Sequence, residues 1–226
     1  MLQRRLLIIS ASAAAFAESA ALAAGLTEGD APSGIRTALE RGAGIAIDGL
    51  GRSDGFLGNP AVRIELPGQL QSAAKLLKAA GQGRKVDELV TAMNHAAEQA
   101  VPAARPLLVN AIKSMSVDDG LRLLKGGDNA ATKFFESKTR APLAAQFLPI
   151  VTQATNKLAV ADKYNAVAGK AAGFGLVKKE DANVQQYVTN KALDGLFLMM
   201  AEEEKKIRKD PIGTGSAILK KVFGGL

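Results

Sequence analysis

The chain has 226 residues, 47% of them hydrophobic and 23% charged, and a formal net charge of +7 at pH 7. It holds no cysteine, no tryptophan and a single histidine, His95, which excludes disulfides, thiolate metal centres, a cysteine nucleophile and any site built on two histidines. The apolar fraction is that of a chain able to bury a core, whereas aromatics at 4%, with no run of five like charges, argue against a nucleic-acid binder.

In chain order, Met1-Leu-Gln-Arg4-Arg5 precedes an uncharged Leu/Ile/Ala-rich stretch over 6–17 and then small residues. That is the layout of an export signal, with Ala15-Phe16-Ala17 and Ala21-Leu22-Ala23 as cleavage sequences. The stretch is too short for a membrane anchor, which needs about 20 apolar residues. The expected organisation is a cleaved signal over 1–23, a linker over 24–33 and one helical domain over 34–226, located in the periplasm or another extracytoplasmic compartment without a transmembrane anchor.

Residues 35–47 place Ala38, Gly42 and Ala46 at helical spacing. Gly49, Gly51, Gly55, Gly58 and Asn59-Pro60 then break the helix, and Val62-Arg63-Ile64-Glu65-Leu66 alternates apolar and polar up to Pro67, which predicts one short strand. Helices follow over 69–80, over 86–100 with Val86, Leu89, Val90, Met93, Ala97 and Ala100 on one face, and over 107–115. Ser116 with Asp119 predicts a capped start for the next helix, and Gly126-Gly127 its end. Further helices are expected around Phe134 and Phe135, over 142–158 with Pro149 kinking or dividing it, and around 161–169. A long helix over 189–209 carries Leu193, Leu196, Phe197, Met200 and Ile207 as one stripe, and a short one over 217–223 ends the chain. The fold class is all-α, a bundle-like domain of about eight helices with one loop-and-strand insertion near 51–67.

Three places hold candidate functional residues. On the long helix, Glu204 falls between Phe197 and Ile207 and Glu203 near Leu196, so each carboxylate needs a partner. Pairs Glu202–Lys206 and Glu204–Arg208 would supply them. The alternative makes Glu203, Glu204 and Asp194 ligands for a hard cation or a cationic group. In the glycine-rich loop, Asp54, Asn59 and Arg63 offer polar groups, and Phe56 either plugs the core or forms a lip over an apolar pocket. His95 lies opposite the apolar face of its helix and reads as exposed or as part of a second interface. No phosphate-cradling or cofactor-binding consensus is present.

Four ordered motifs carry a resemblance: Asp54-Gly-Phe-Leu-Gly-Asn-Pro-Ala-Val-Arg-Ile-Glu-Leu-Pro67, Tyr187-Val-Thr-Asn-Lys-Ala-Leu-Asp-Gly-Leu-Phe197, Ala201-Glu-Glu-Glu-Lys-Lys-Ile-Arg208 and Leu219-Lys-Lys-Val-Phe-Gly224. Over 34–224 the chain resembles a mostly proteobacterial domain-of-unknown-function family whose members begin with an export signal. Ser53 and Glu65 stand where proline is expected in many relatives. The resemblance implies an exported helical domain and brings no activity, cofactor or catalytic residue. The leading expectation is a non-catalytic envelope protein that binds a partner or an apolar or anionic ligand. A carboxylate-dependent, metal-assisted enzyme using Asp194, Glu203 and Glu204 is one alternative, and a basic module on an anionic membrane or polymer surface is another.

Overall fold

Apolar spacing of three and four residues becomes helix throughout the computed structural model, which describes residues 30–156, 159–175, 178 and 181–210. The expected export signal and the expected helix over 217–223 lie outside the described residues. The helices are α1 (Asp30–Gly51), α2 (Gly68–Leu77), α3 (Gly83–Ala100), α4 (Ala104–Lys113), α5 (Val117–Leu124), α6 (Ala130–Thr155), α7 (Ala159–Gly173) and α8 (Val184–Lys209). A π turn, Lys78–Gln82, joins α2 to α3, and a 3-10 turn, Val101–Ala103, joins α3 to α4. The first helix thus begins inside the stretch expected as linker. No helix among the described residues is long and apolar enough to cross a membrane.

The long helices form the centre. α6 packs along α8, α3 against α6 and α1 against α8. Each contributes a stripe: Val86, Leu89, Val90 and Met93 from α3, Phe135, Leu143, Phe147 and Val151 from α6, and Leu193, Leu196, Phe197 and Met200 from α8 are all buried. Ser116 caps α5 as expected. Its hydroxyl accepts from the Asp119 N–H, and the Asp119 carboxylate accepts from the Ser116 N–H.

Two expectations are corrected. The division at Pro149 does not occur, because α6 runs through both Pro142 and Pro149 and takes in the helix expected around Phe134. Both prolines sit on the exposed face, and the residues four before them, Lys138 and Ala145, are exposed as well. The carbonyls released by the missing N–H groups therefore belong to residues on the solvent side, where the loss is least costly. The strand over Val62–Leu66 is also absent: no strand occurs among the described residues. The alternation is nevertheless realised, with Val62, Ile64 and Leu66 buried and Arg63 and Glu65 exposed. What is missing is a neighbouring strand, and α3 substitutes for it.

Candidate functional site

The loop over 52–67 is held against the bundle by polar groups of α3. Asn94 and Glu98 stand one turn apart, continuing the line of Val86 and Val90, and both are buried. The Ile64 N–H donates to Asn94 Oδ1 at 2.8 Å, and Asn94 Nδ2 donates to the carbonyls of Ile64 at 2.9 Å and Val90 at 2.7 Å. This amide therefore uses its acceptor and both donor hydrogens. One turn on, Glu98 Oε1 accepts from the N–H groups of Phe56 at 3.0 Å and Leu57 at 3.1 Å. A carboxylate buried to this degree needs such donors, and charge-assisted bonds of this kind are among the stronger ones. From the opposite side, the Tyr187 hydroxyl on α8 donates to the Glu65 carbonyl at 2.7 Å.

Phe56 is fully buried and plugs the core. Its ring lies so close to Gly195 on α8 that a Cβ there would come within 2.7 Å of Cε1. Asp54 takes a left-handed conformation with φ 58°, which aspartate tolerates better than bulkier side chains. Asn59 makes the next turn: Oδ1 accepts from the Ala61 N–H, and its carbonyl accepts from the N–H groups of Val62 and Arg63. Arg63 is a staple within the loop, bonded to the Leu57 carbonyl at 2.9 Å and to Glu65 Oε1 at 2.6 Å.

Two hollows flank the loop. A cleft of about 490 Å³ runs between residues 61–68 and α8, walled by Arg63, Glu65, Tyr187, Lys191, Asp194 and Leu198 among others. A second, of about 300 Å³, gathers Asp54, Asn59 and Glu203 beside Gly58 and Met199. Among the residues singled out from sequence, the structure thus groups Asp54 with Asn59 and Glu203, and Arg63 with Asp194.

It does not group Asp194, Glu203 and Glu204. Asp194 lies nine residues before Glu203 on α8, about 13 Å along the axis at the usual helical rise, and is bridged by Arg140 and Lys191. Glu203 pairs with Lys206 at 2.7 Å, so Lys206 serves Glu203 in place of the expected Glu202. Glu204 pairs with Arg208 at 2.8 Å as expected. It also accepts from the N–H groups of Ala131 and Thr132 and from the Thr132 hydroxyl, capping the start of α6. Arg208 in turn donates to the carbonyls of Leu123 and Gly126 beyond it.

Sequence reasoning passed over Asn94 and Glu98. Their signal was two polar residues four apart on a line otherwise carried by Val86 and Val90. His95, expected to be exposed or at a second interface, has a 43% exposed side chain and faces Asp54 and Glu98 of the loop seam.

Fold and site together define an all-helical domain that uses buried polar side chains to display a glycine-rich loop with an extended arm. Residues 25–224 match the family described as Protein of unknown function (DUF4197), and the chain belongs to that family. No curated protein and no solved structure matches it.

Proposed function

We propose that this domain is a non-catalytic binding module of the cell envelope, and that its extended arm takes a segment of a partner protein as an added strand. One observation carries the reading. Ile64 turns both its backbone groups to Asn94; on the opposite side the Arg63 N–H and the Glu65 carbonyl are taken by Asn59 and Tyr187, while the Glu65 N–H and the Arg63 carbonyl make no hydrogen bond among the described residues. That side adjoins the cleft beside α8, where Tyr187 already reaches the Glu65 carbonyl. A free carbonyl and a free N–H on either side of one residue are the pair that a parallel strand engages, and this short stretch offers them for strand addition.

The cleft wall supports a peptide over a purely anionic ligand. Its charges are the opposite pairs Arg63 with Glu65 and Lys191 with Asp194, plus Asp181, which tips the wall toward the acidic side, and Leu198 is 43% exposed beside them. The location rests on the signal-like start at Arg4 and Arg5. An enzyme built on Asp194, Glu203 and Glu204 lacks geometric support, since the three are separated and each is neutralised.

The test is selection of extended peptides from a displayed library on wild type, Glu65→Ala and Glu65→Pro. Proline removes the donating N–H, and alanine removes only the side chain. The reading expects selected peptides to bind the alanine variant and to lose about tenfold or more in affinity on the proline variant, the worth of a hydrogen bond that cannot form. Equal binding to all three would refute it.

A further inference from the structure

We propose that Asp54, His95 and Glu98 form a binding site for a transition-metal dication of the Zn²⁺ class at the seam between the loop and α3. His95 Nε2 lies 3.6 Å from Asp54 Oδ1 and 3.9 Å from Glu98 Oε2, and one ligand atom from each of the three lies within 4.8 Å of the other two. Atoms bound tetrahedrally to one Zn²⁺ at about 2.0–2.2 Å sit roughly 3.3–3.6 Å from one another. The two His95 separations lie within a few tenths of an ångström of that spacing, and a pair of ligand atoms as far apart as 4.8 Å has to close by about 1 Å.

Glu98 supplies the independent argument. Its side chain is only 7% exposed, and Oε1 is held by the N–H groups of Phe56 and Leu57. Oε2 accepts no hydrogen bond among the described residues and is turned toward His95. One oxygen is thus fixed by the backbone while the other is presented to the cluster, the arrangement by which outer-shell bonds orient a metal-ligating carboxylate. The donor set of one imidazole nitrogen and two carboxylate oxygens suits Zn²⁺ better than Mg²⁺ or Ca²⁺, which favour all-oxygen sites. Asp54 and His95 are partly exposed, leaving an outer position for water or for a group from a bound partner. The competing account is a plain His95 ion pair with the two carboxylates, with no metal.

This site goes beyond the strand-addition reading and is probed by metal alone, so either can fail without the other. Tag-free, metal-stripped protein is titrated with Zn²⁺ by calorimetry and with Co²⁺ by visible absorption, alongside His95→Gln and Asp54→Asn. Both variants leave the bonds from Glu98 to the loop intact, and circular dichroism verifies their fold. Because His95 is the only histidine, its imidazole proton resonances report directly on ligation. The expected result is one equivalent of Zn²⁺ bound in preference to Mg²⁺ and Ca²⁺, displacement of the His95 resonances, and affinity weakened at least about tenfold in each variant. Absence of stoichiometric Zn²⁺ binding to wild type, or folded variants that bind as tightly as wild type, would overturn it.

Discussion

The side-chain amide of Asn94 pairs with the backbone of Ile64 as a strand neighbour would, accepting from its N–H at 2.8 Å and donating to its carbonyl at 2.9 Å. One buried residue of a helix thereby supplies both bonds that a lone extended segment otherwise lacks. Asn94→Leu keeps comparable bulk but leaves both backbone groups unpaired. It should cost about 2 kcal/mol in urea unfolding, with faster amide exchange concentrated at residues 62–66. Unchanged stability would show that the pairing contributes nothing.

Glu98 holds the other end of the loop through one acceptor oxygen, Oε1. Glu98→Gln retains that oxygen, whereas Glu98→Ala strands the N–H groups of Phe56 and Leu57 away from water. Thermal melts should rank the alanine variant lowest, about 2 kcal/mol below the glutamine variant. The reverse order would contradict the assignment of Oε1.

Periodicity made much of this fold readable, because helix faces are local. The α3 stripe from Val86 to Ala100, the α8 stripe from Leu193 to Ile207 and the Ser116 capping box all appear where the spacing places them. The burial of Val62, Ile64 and Leu66 was equally legible from alternation, but the partner of that segment was not. It is a side chain 30 residues away, and a period-two pattern says which residues turn inward without saying what completes the backbone bonds. Glu98 escaped notice because a glutamate near the end of an amphipathic helix reads as solvent-facing, and only the line of Val86, Val90, Asn94 and Glu98 betrays it. Glu204 was recognised as needing a partner, and Arg208 one turn on was the visible one. The N-terminus of α6, more than 70 residues earlier, was not.

That long-range connection makes Glu204 a structural staple between α8, the start of α6 and the chain just after α5. Glu204→Ala should lower stability by about 3 kcal/mol, since it leaves Arg208 without its carboxylate and two N–H groups uncapped. Arg208→Met added to Glu204→Ala should cost less than the sum of the single changes. Additive losses in the double-mutant cycle would contradict a coupled staple.

Tyr187 links the arm to α8 and carries a pH signature. Burial, reinforced by the carboxylates of Asp181, Glu65 and Asp194, pushes its phenol up to about 12 from an ordinary value of 10.0. Tyr164, stacked on it at 6.5 Å between centroids, is raised too, again chiefly by burial. A raised phenol pKa favours the neutral form in the fold, so its stabilisation is complete below pH 10.0 and is lost as pH rises toward about 12. Denaturant unfolding of Tyr187→Phe should fall less steeply over that window than wild type does, and the variant should be about 1 kcal/mol less stable at neutral pH for want of the bond to the Glu65 carbonyl. Parallel pH profiles would contradict the shift.

The most direct test of the arm as a strand-adding edge is amide hydrogen exchange at two adjacent residues, Ile64 and Glu65, measured by NMR before and after saturation with a selected peptide. A slow Ile64 amide, held by Asn94, and a fast Glu65 amide are expected in the free protein, with Glu65 becoming protected in the complex while Ile64 is little changed. A Glu65 amide that exchanges as rapidly in the complex as in the free protein would contradict it.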